Sequence, residues 1–312
     1  MKLIKPSFEI IEQKPRDIVI PADMEIGPRM WKDELINSVY RQIEIAGRTC
    51  YKSEDKITET SAKEFVDRMV KSGHGAMLEH GTVYLKVPNS VVDEGFQFGT
   101  NWSTLCLNPY TRYISDGDYY YYTTNYRVII EHDLQGVLEY LCEPTKYHEK
   151  RITVKFVCDR GVSHEFVRHR VFSFAQESTR YCNYSKAKFG KELNCIIPCW
   201  YKNMFEGNSY NIELCHTCDL TISEGLSRTE AAWIQAMCEA ESTYFGLLTE
   251  GEPAQQARNV LPLALKTELI MTGTIEQWKG FFKLRDAGSA HPQAYELAHP
   301  LHEEFIKRGW IK

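Results

Sequence analysis

Residues 152–181 read ITVKFVCDRGVSHEFVRHRVFSFAQESTRY. Ile152–Cys158 alternates apolar and polar residues, the period of a strand with one face in a core. It leads into Arg168-His169-Arg170, followed by Ser178 and Arg180. Guanidinium forks match phosphate and carboxylate oxygens two at a time. A serine two residues before an arginine adds a hydroxyl donor for the same oxyanion. The whole chain has a formal net charge of −5, so this cationic knot is local and not part of a general basic bias. The segment reads as a strand delivering the chain to a cradle for a small dianion, such as a nucleotide phosphate.

Working outward, 312 residues that are 43% hydrophobic and 25% charged suit a soluble globular protein with a sizeable core. The opening MKLIKPSFEIIEQKPRD has no apolar signal-peptide core, and no apolar run approaches membrane-spanning length. Ten cysteines without a secretory signal imply reduced thiols in a cytoplasmic setting. The acidic balance disfavours nucleic acid as the main partner.

Helix-like spacing covers 31–49 (Leu35, Val39, Ile43, Ile45), and again 61–73, with Phe65, Val66, Met69 and Val70 as a stripe and Gly73 suited to the C′ position. Thr82–Val87 alternates as a strand that Pro88 stops. Tyr119–Tyr122 has strand character, and a short helix is expected near Leu134–Cys142. Ser227-x-x-Glu230 is a capping box. It opens a helix with Trp233, Met237, Ala240, Tyr244 and Leu247 on one face, closed near Gly251. Thr274–Arg285 and Pro292–Lys307 also read as helices. The fold class expected is α+β: one domain over 1–312, helices packed on a mostly antiparallel sheet.

The spacing of Arg168-His169-Arg170 to Ser178-x-Arg180 resembles the signature of the flavin-dependent thymidylate synthases. Two further stretches are similar to that family: GHGAMLEH (Gly73–His80), and ARNVLPLALKT (Ala257–Thr267) running on to Leu284-Arg285. The resemblance implies a homotetramer with composite active sites and reductive methylation of dUMP to dTMP. Methylenetetrahydrofolate would be the carbon donor and FAD, reduced by NADPH, the hydride source. It implies dUMP contacts from Glu165, Arg168, Gln176, Glu177, Ser178, Arg180, Arg258 and Arg285. His74, Arg168, His169, Arg170 and Gln176 would meet FAD. Arg258 would come from a neighbouring subunit, and Arg285 would face the pyrimidine as the catalytic counter-charge. Ser178 would bind, since the family uses no enzyme nucleophile on the ring; His80 and Cys50 would be structural. In shorter members the strand after Glu-His runs almost directly to the Arg-His-Arg segment, so an insertion is implied at about 88–150.

The chain departs from the family pattern at several positions. Glu165 stands where a Gln is usual, and Ala175-Gln176 replaces an Asn-Glu pair. Thr274, Glu276 and Gly280 replace flavin-contacting Asn, Arg and Asn or His. These departures support one alternative, a nucleotide-binding protein that has lost flavin and catalysis. Metal is a rival use of the histidines. His164 and His169 are five apart and project roughly 140° apart on a helix, so they do not share one metal. Cys195, Cys199, Cys215, His216 and Cys218 have a suitable count for zinc, but the first pair interrupts an apolar run, and buried free thiols are the expected outcome. No metal site is assigned.

Overall fold

The computed structural model describes residues 1–16, 27–97, 101–213, 220–221 and 224–312. In chain order the strands are β1 (Lys2–Ile4), β2 (Ser7–Ile11), β3 (Thr82–Pro88), β4 (Arg112–Ser115), β5 (Tyr119–Asn125), β6 (Arg151–Asp159), β7 (Ser173–Gln176), β8 (Asn194–Ile196) and β9 (Lys266–Thr274). The helices are α1 (Pro28–Tyr51), α2 (Ser61–Lys71), α3 (Gly75–Leu78), α4 (Asn89–Gln97), α5 (Asn101–Leu107), α6 (Tyr126–Glu131), α7 (Arg160–Phe166), α8 (Arg228–Thr249), α9 (Ala254–Ala257), α10 (Ile275–Arg285) and α11 (Pro292–Lys307). Among the described residues no helix is long and apolar enough to cross a membrane.

The central sheet has the order β2-β6-β9-β7, every neighbouring pair antiparallel. The alternation of β6 assigns its two faces. Ile152, Val154, Phe156 and Cys158 join Leu269 and Met271 in a core under α7, α10 and α11, where Phe166, Trp278, Phe281 and Phe305 are fully buried. On the opposite face Ala175 and Ile270 pack against Ala46 and Cys50 of α1. Strand β7 is an edge of this sheet, so the chain entering and leaving it is free to serve either face.

Helix α1 is buried on two sides. Its Leu35, Val39 and Ile43 belong to a second core with α2, β3 and β5. Gly47 permits the close approach of α2: a Cβ there would stand 2.4 Å from the Phe65 ring. Gly73 ends α2 at φ +70, with the His74 N–H on the Met69 carbonyl and the Gly73 N–H on the Val70 carbonyl, the paired bonds of a Schellman ending.

The region expected as an insertion folds back on β3. β5 pairs along it from Thr82↔Asn125 to Pro88↔Tyr119, so Pro88 is the last paired residue, and β4 pairs on the far side of β5. Tyr121 and Tyr122 are buried. The short helix expected near Leu134–Cys142 is a 3₁₀ segment, Gln135–Tyr140. The sheets are not all antiparallel: β1 and β8 form a separate parallel pair. Helix α8 opens with the expected capping box, Ser227 Oγ accepting the Glu230 N–H while the Glu230 carboxylate accepts the Ser227 N–H. Its buried face is displaced from the expected one. Ala231, Ile234, Cys238 and Tyr244 are buried, whereas Trp233, Met237, Ala240 and Leu247 are half-buried.

Candidate functional site

Two groups of the sequence-selected residues lie at opposite ends of β7 and on opposite faces of the sheet. The first is on the α10 side. Glu165 sits in the last turn of α7, and Arg168, His169 and Arg170 follow in the turn before β7. Arg285, at the end of α10, reaches back to them. Its Nε donates to His169 Nε2 at 3.1 Å, Nη1 to the Glu165 carboxylate at 2.5 Å, and Nη2 to the Glu165 carbonyl at 2.7 Å. The donating Nε fixes the tautomer of His169: Nε2 accepts, so the ring proton is on Nδ1. Burial, aided by the Arg285 charge, pushes the imidazole down to about 4, so it is neutral at physiological pH. Arg285 is therefore rigidly placed and ion-paired; it is not the bare cation the sequence reading assumed. Arg168 and Arg170 are exposed and have no carboxylate partner among the described residues.

The second group lies on the α1 side. Past β7 the Ser178 N–H donates to the Cys50 carbonyl at the end of α1, and the Tyr181 ring packs edge-on against Tyr51. Ser178 Oγ accepts the Arg180 N–H at 3.3 Å, leaving its own hydrogen to donate. No general base touches Ser178 among the described residues, as binding rather than nucleophilic attack requires. The Arg180 guanidinium lies over the Tyr181 ring, 5.3 Å from its centroid. Arg258 comes close, its Nη1 3.5 Å from Thr179 Oγ1. Neither arginine has a carboxylate partner among the described residues. The expectation that Arg258 reaches this loop from a neighbouring subunit is corrected here: Arg258 stands beside Thr179 of its own chain, because α9 and the following 3₁₀ turn place it there.

Gln176 and Glu177 join the two groups but are spent on the protein itself. Gln176 Nε2 donates to Ser163 Oγ at 2.9 Å and to Thr267 Oγ1 at 3.2 Å. Glu177 is buried, accepting from Lys266 at 2.8 Å and from the Tyr184 hydroxyl at 3.1 Å. Glu177 thus holds the root of the loop. Lys266 also meets Glu268, which binds Lys52 and Lys155 as well. Burial would raise the Glu268 carboxyl, but the ammonium groups of Lys266 and Lys52 hold it well below the usual range. Sequence reasoning missed this network. Its signal was Lys266 and Glu268 alternating inside a strand otherwise buried.

His74 is exposed beside Tyr51, its Nδ1 3.3 Å from the hydroxyl. It stands on the α1 side, near the Ser178 loop. His80 is fully buried, with Nδ1 2.8 Å from Thr272 Oγ1, and burial pushes it down to about 3. Cys50 is buried too, its thiol pushed up to about 11 by burial; both are packing residues. Thr274 and Gln277 spend their side chains on the capping box of α10, and Glu276 pairs with Lys279 on an exposed turn. His164 is on α7 but His169 lies beyond it, so the two do not share a helix face. Cys195 lies in an apolar cluster with Leu3 and Ile197, its thiol pushed up to about 12 by burial. Cys215, His216 and Cys218 lie outside the described residues. Among the described residues no group of three or more His, Cys, Asp and Glu is arranged to hold a metal.

A family model described as thymidylate synthase complementing protein matches residues 147–308. The chain belongs to this family. The match contains both groups of arginines and excludes the His74 segment. Among curated relatives, the flavin-dependent thymidylate synthase of Pyrococcus furiosus is 30% identical over 155 residues, 50% of this chain and 54% of the relative. That of Pyrococcus abyssi is 28% identical over the same length and shares. That of Mycobacterium tuberculosis is 27% identical over 143 residues, 45% of this chain and 50% of the relative. The chain spans about half the length of these curated relatives.

Proposed function

We propose that the protein is a flavin-dependent thymidylate synthase, converting dUMP to dTMP with methylenetetrahydrofolate as carbon donor and NADPH as reductant. One observation carries this reading. Arg168, Arg170, Arg180 and Arg258 have no carboxylate partner among the described residues, although acidic residues outnumber basic ones in the chain, 42 to 37. Unpaired guanidiniums gathered around one short strand are suited to phosphate groups of substrate and cofactor.

In this reading Ser178, Arg180 and Arg258 bind the dUMP phosphate, and Gln176 and Glu177 fix the loop that presents them. Glu165 and Arg168 complete the nucleotide contacts from the α10 side. Arg285 stabilises the negative charge that develops as the pyrimidine is activated, using the two N–H groups that His169 and Glu165 leave over. Neutral His169, with Arg168, Arg170 and His74, fits the FAD side: two unpaired cations for its phosphates and an uncharged ring nearby. Thr274, Glu276 and Gly280 contribute less, since the first two are engaged within α10. Bound FAD, reduced by NADPH, supplies the hydride; the chain orients the nucleotide and holds its charge.

Because the two groups face opposite sides of the sheet, a complete site calls for one group from each of two copies, as in a homotetramer. A cytoplasmic setting fits this chemistry. The test is the absorption spectrum of the freshly purified protein together with NADPH- and folate-dependent formation of dTMP. A colourless protein that neither binds added FAD nor converts dUMP would replace this reading with that of a nucleotide-binding protein without flavin.

A further inference from the structure

A cavity of about 620 Å³ opens at the β2–β6 edge of the central sheet, away from β7. None of the arginines assigned above to dUMP or FAD lines it. Its volume is within the range of small-molecule sites, about 300–1,000 Å³. Trp31, Trp310, Tyr84 and Ile152 supply aromatic and aliphatic wall, and Lys150 and Arg151 supply adjacent positive charges. Arg151 is placed by neutral acceptors only. Nη1 donates to the Glu79 carbonyl at 3.1 Å and Thr82 Oγ1 at 3.3 Å, and Nη2 to Ser173 Oγ at 3.3 Å. Its Nε–H has no partner among the described residues. Glu79, the acid at its own acceptor carbonyl, turns its carboxylate to Arg127. Lys150 likewise has no carboxylate partner among the described residues; its ammonium lies 4.6 Å from the centroid of the Trp310 ring.

A guanidinium held in a recess without a counter-charge costs free energy that an incoming anion would relieve. Burial disfavours the Arg151 charge, in keeping with that cost. Two neighbouring cations suit a dianion, and indole walls suit a planar ring. We propose that this cavity binds a nucleotide, its base among Trp31, Tyr84 and Trp310 and its phosphate on Lys150 and Arg151. The same chemistry is offered by a free nucleotide, acting as an effector, and by the adenosine-phosphate end of a dinucleotide cofactor.

ADP titrated into the purified protein, followed by tryptophan fluorescence, tests this without turnover. Saturable quenching is expected, with smaller amplitude in Trp310→Phe. Binding should weaken at least about tenfold in Arg151→Met and in Lys150→Glu, the second reversing an exposed charge with no need to repack. Arg180→Ala should leave it unchanged. Competition by FAD would identify the dinucleotide as the source, and undisturbed ADP binding in saturating FAD a free nucleotide. No saturable quenching overturns the proposal. So does quenching that survives Lys150→Glu and disappears in Arg180→Ala, which would place all nucleotide binding in the arginine cradle. Loss of dTMP formation with ADP binding intact would strike only the synthase reading.

Discussion

Arg285 spends three of its donors on Glu165 and His169 before any ligand arrives. That expenditure makes its position rigid, which is what a counter-charge to a transient anion requires. Arg285→Ala should slow dUMP-dependent flavin oxidation far more than NADPH-driven flavin reduction, because only the first passes through an activated pyrimidine. Removing one such preorganised donor typically raises a barrier by roughly 2.7–4 kcal/mol. Stopped-flow traces of the two half-reactions decide the matter; equal slowing of both would make Arg285 a prop for flavin or fold. Histidine burial sets a second expectation. His80 and His169 titrate near 3 and 4 in the fold against 6.5 for the free side chain. The unfolded chain therefore binds more protons in that interval. Their contribution to stability is complete above about 6.5 and is lost as pH falls through the folded values. His148 shifts in the same direction, while the raised carboxyls of Asp159 and Glu296 act the opposite way at lower pH. The melting temperature should fall from about pH 7 to about pH 5, and His80→Asn should flatten the slope. An unchanged slope in that variant would show that His80 does not drive it.

Elements whose signals are local were legible in the sequence. Ser227 and Glu230 satisfy each other's backbone within four residues, so the start of α8 was readable, as was the Gly73 ending of α2. The face of α8 was not, because Glu230 and Glu241 are buried with it. Glu241 receives the Met1 amino group at 2.6 Å and the Leu193 N–H at 2.7 Å, bonds no hydrophobic stripe announces. Burial would raise Glu230, but hydrogen bonds from the backbone and side chain of Asn203, and from Ser227, hold it at about 2. Ser227→Ala removes an N-cap and one of those donors, and should cost on the order of 1–2 kcal/mol in chemical unfolding. A change of a few tenths would mean the Asn203 bonds alone fix this end. The central strands were legible from alternation, whereas partners distant in sequence were not. Nothing in the spacing tells that Thr179 meets Arg258, or that Lys52, Lys155 and Lys266 converge on Glu268.

At the scale of the whole molecule, the faces of the sheet decide which residues one copy can bring together. Ser178, Arg180 and Arg258 share the α1 side, while Glu165, His169 and Arg285 share the α10 side. β7 lies between them as an edge strand. If complete sites form between copies, each site takes one group from each of two chains. Mixing Arg180→Ala with Arg285→Ala should then restore activity in part. Some interfaces of a mixed assembly would join an intact phosphate loop from one chain to an intact Arg285 from another. Mixing Arg180→Ala with Arg258→Ala should restore nothing, since both lesions fall in the same group and every phosphate loop in the mixture carries one of them. The comparison needs subunit exchange verified by native mass spectrometry with one variant isotopically labelled. Recovery in the second mixture would return Arg258 to a neighbouring chain's site. Failure of the first mixture after verified exchange would mean that a single chain assembles both groups, and that the opposed faces of the sheet do not govern the site.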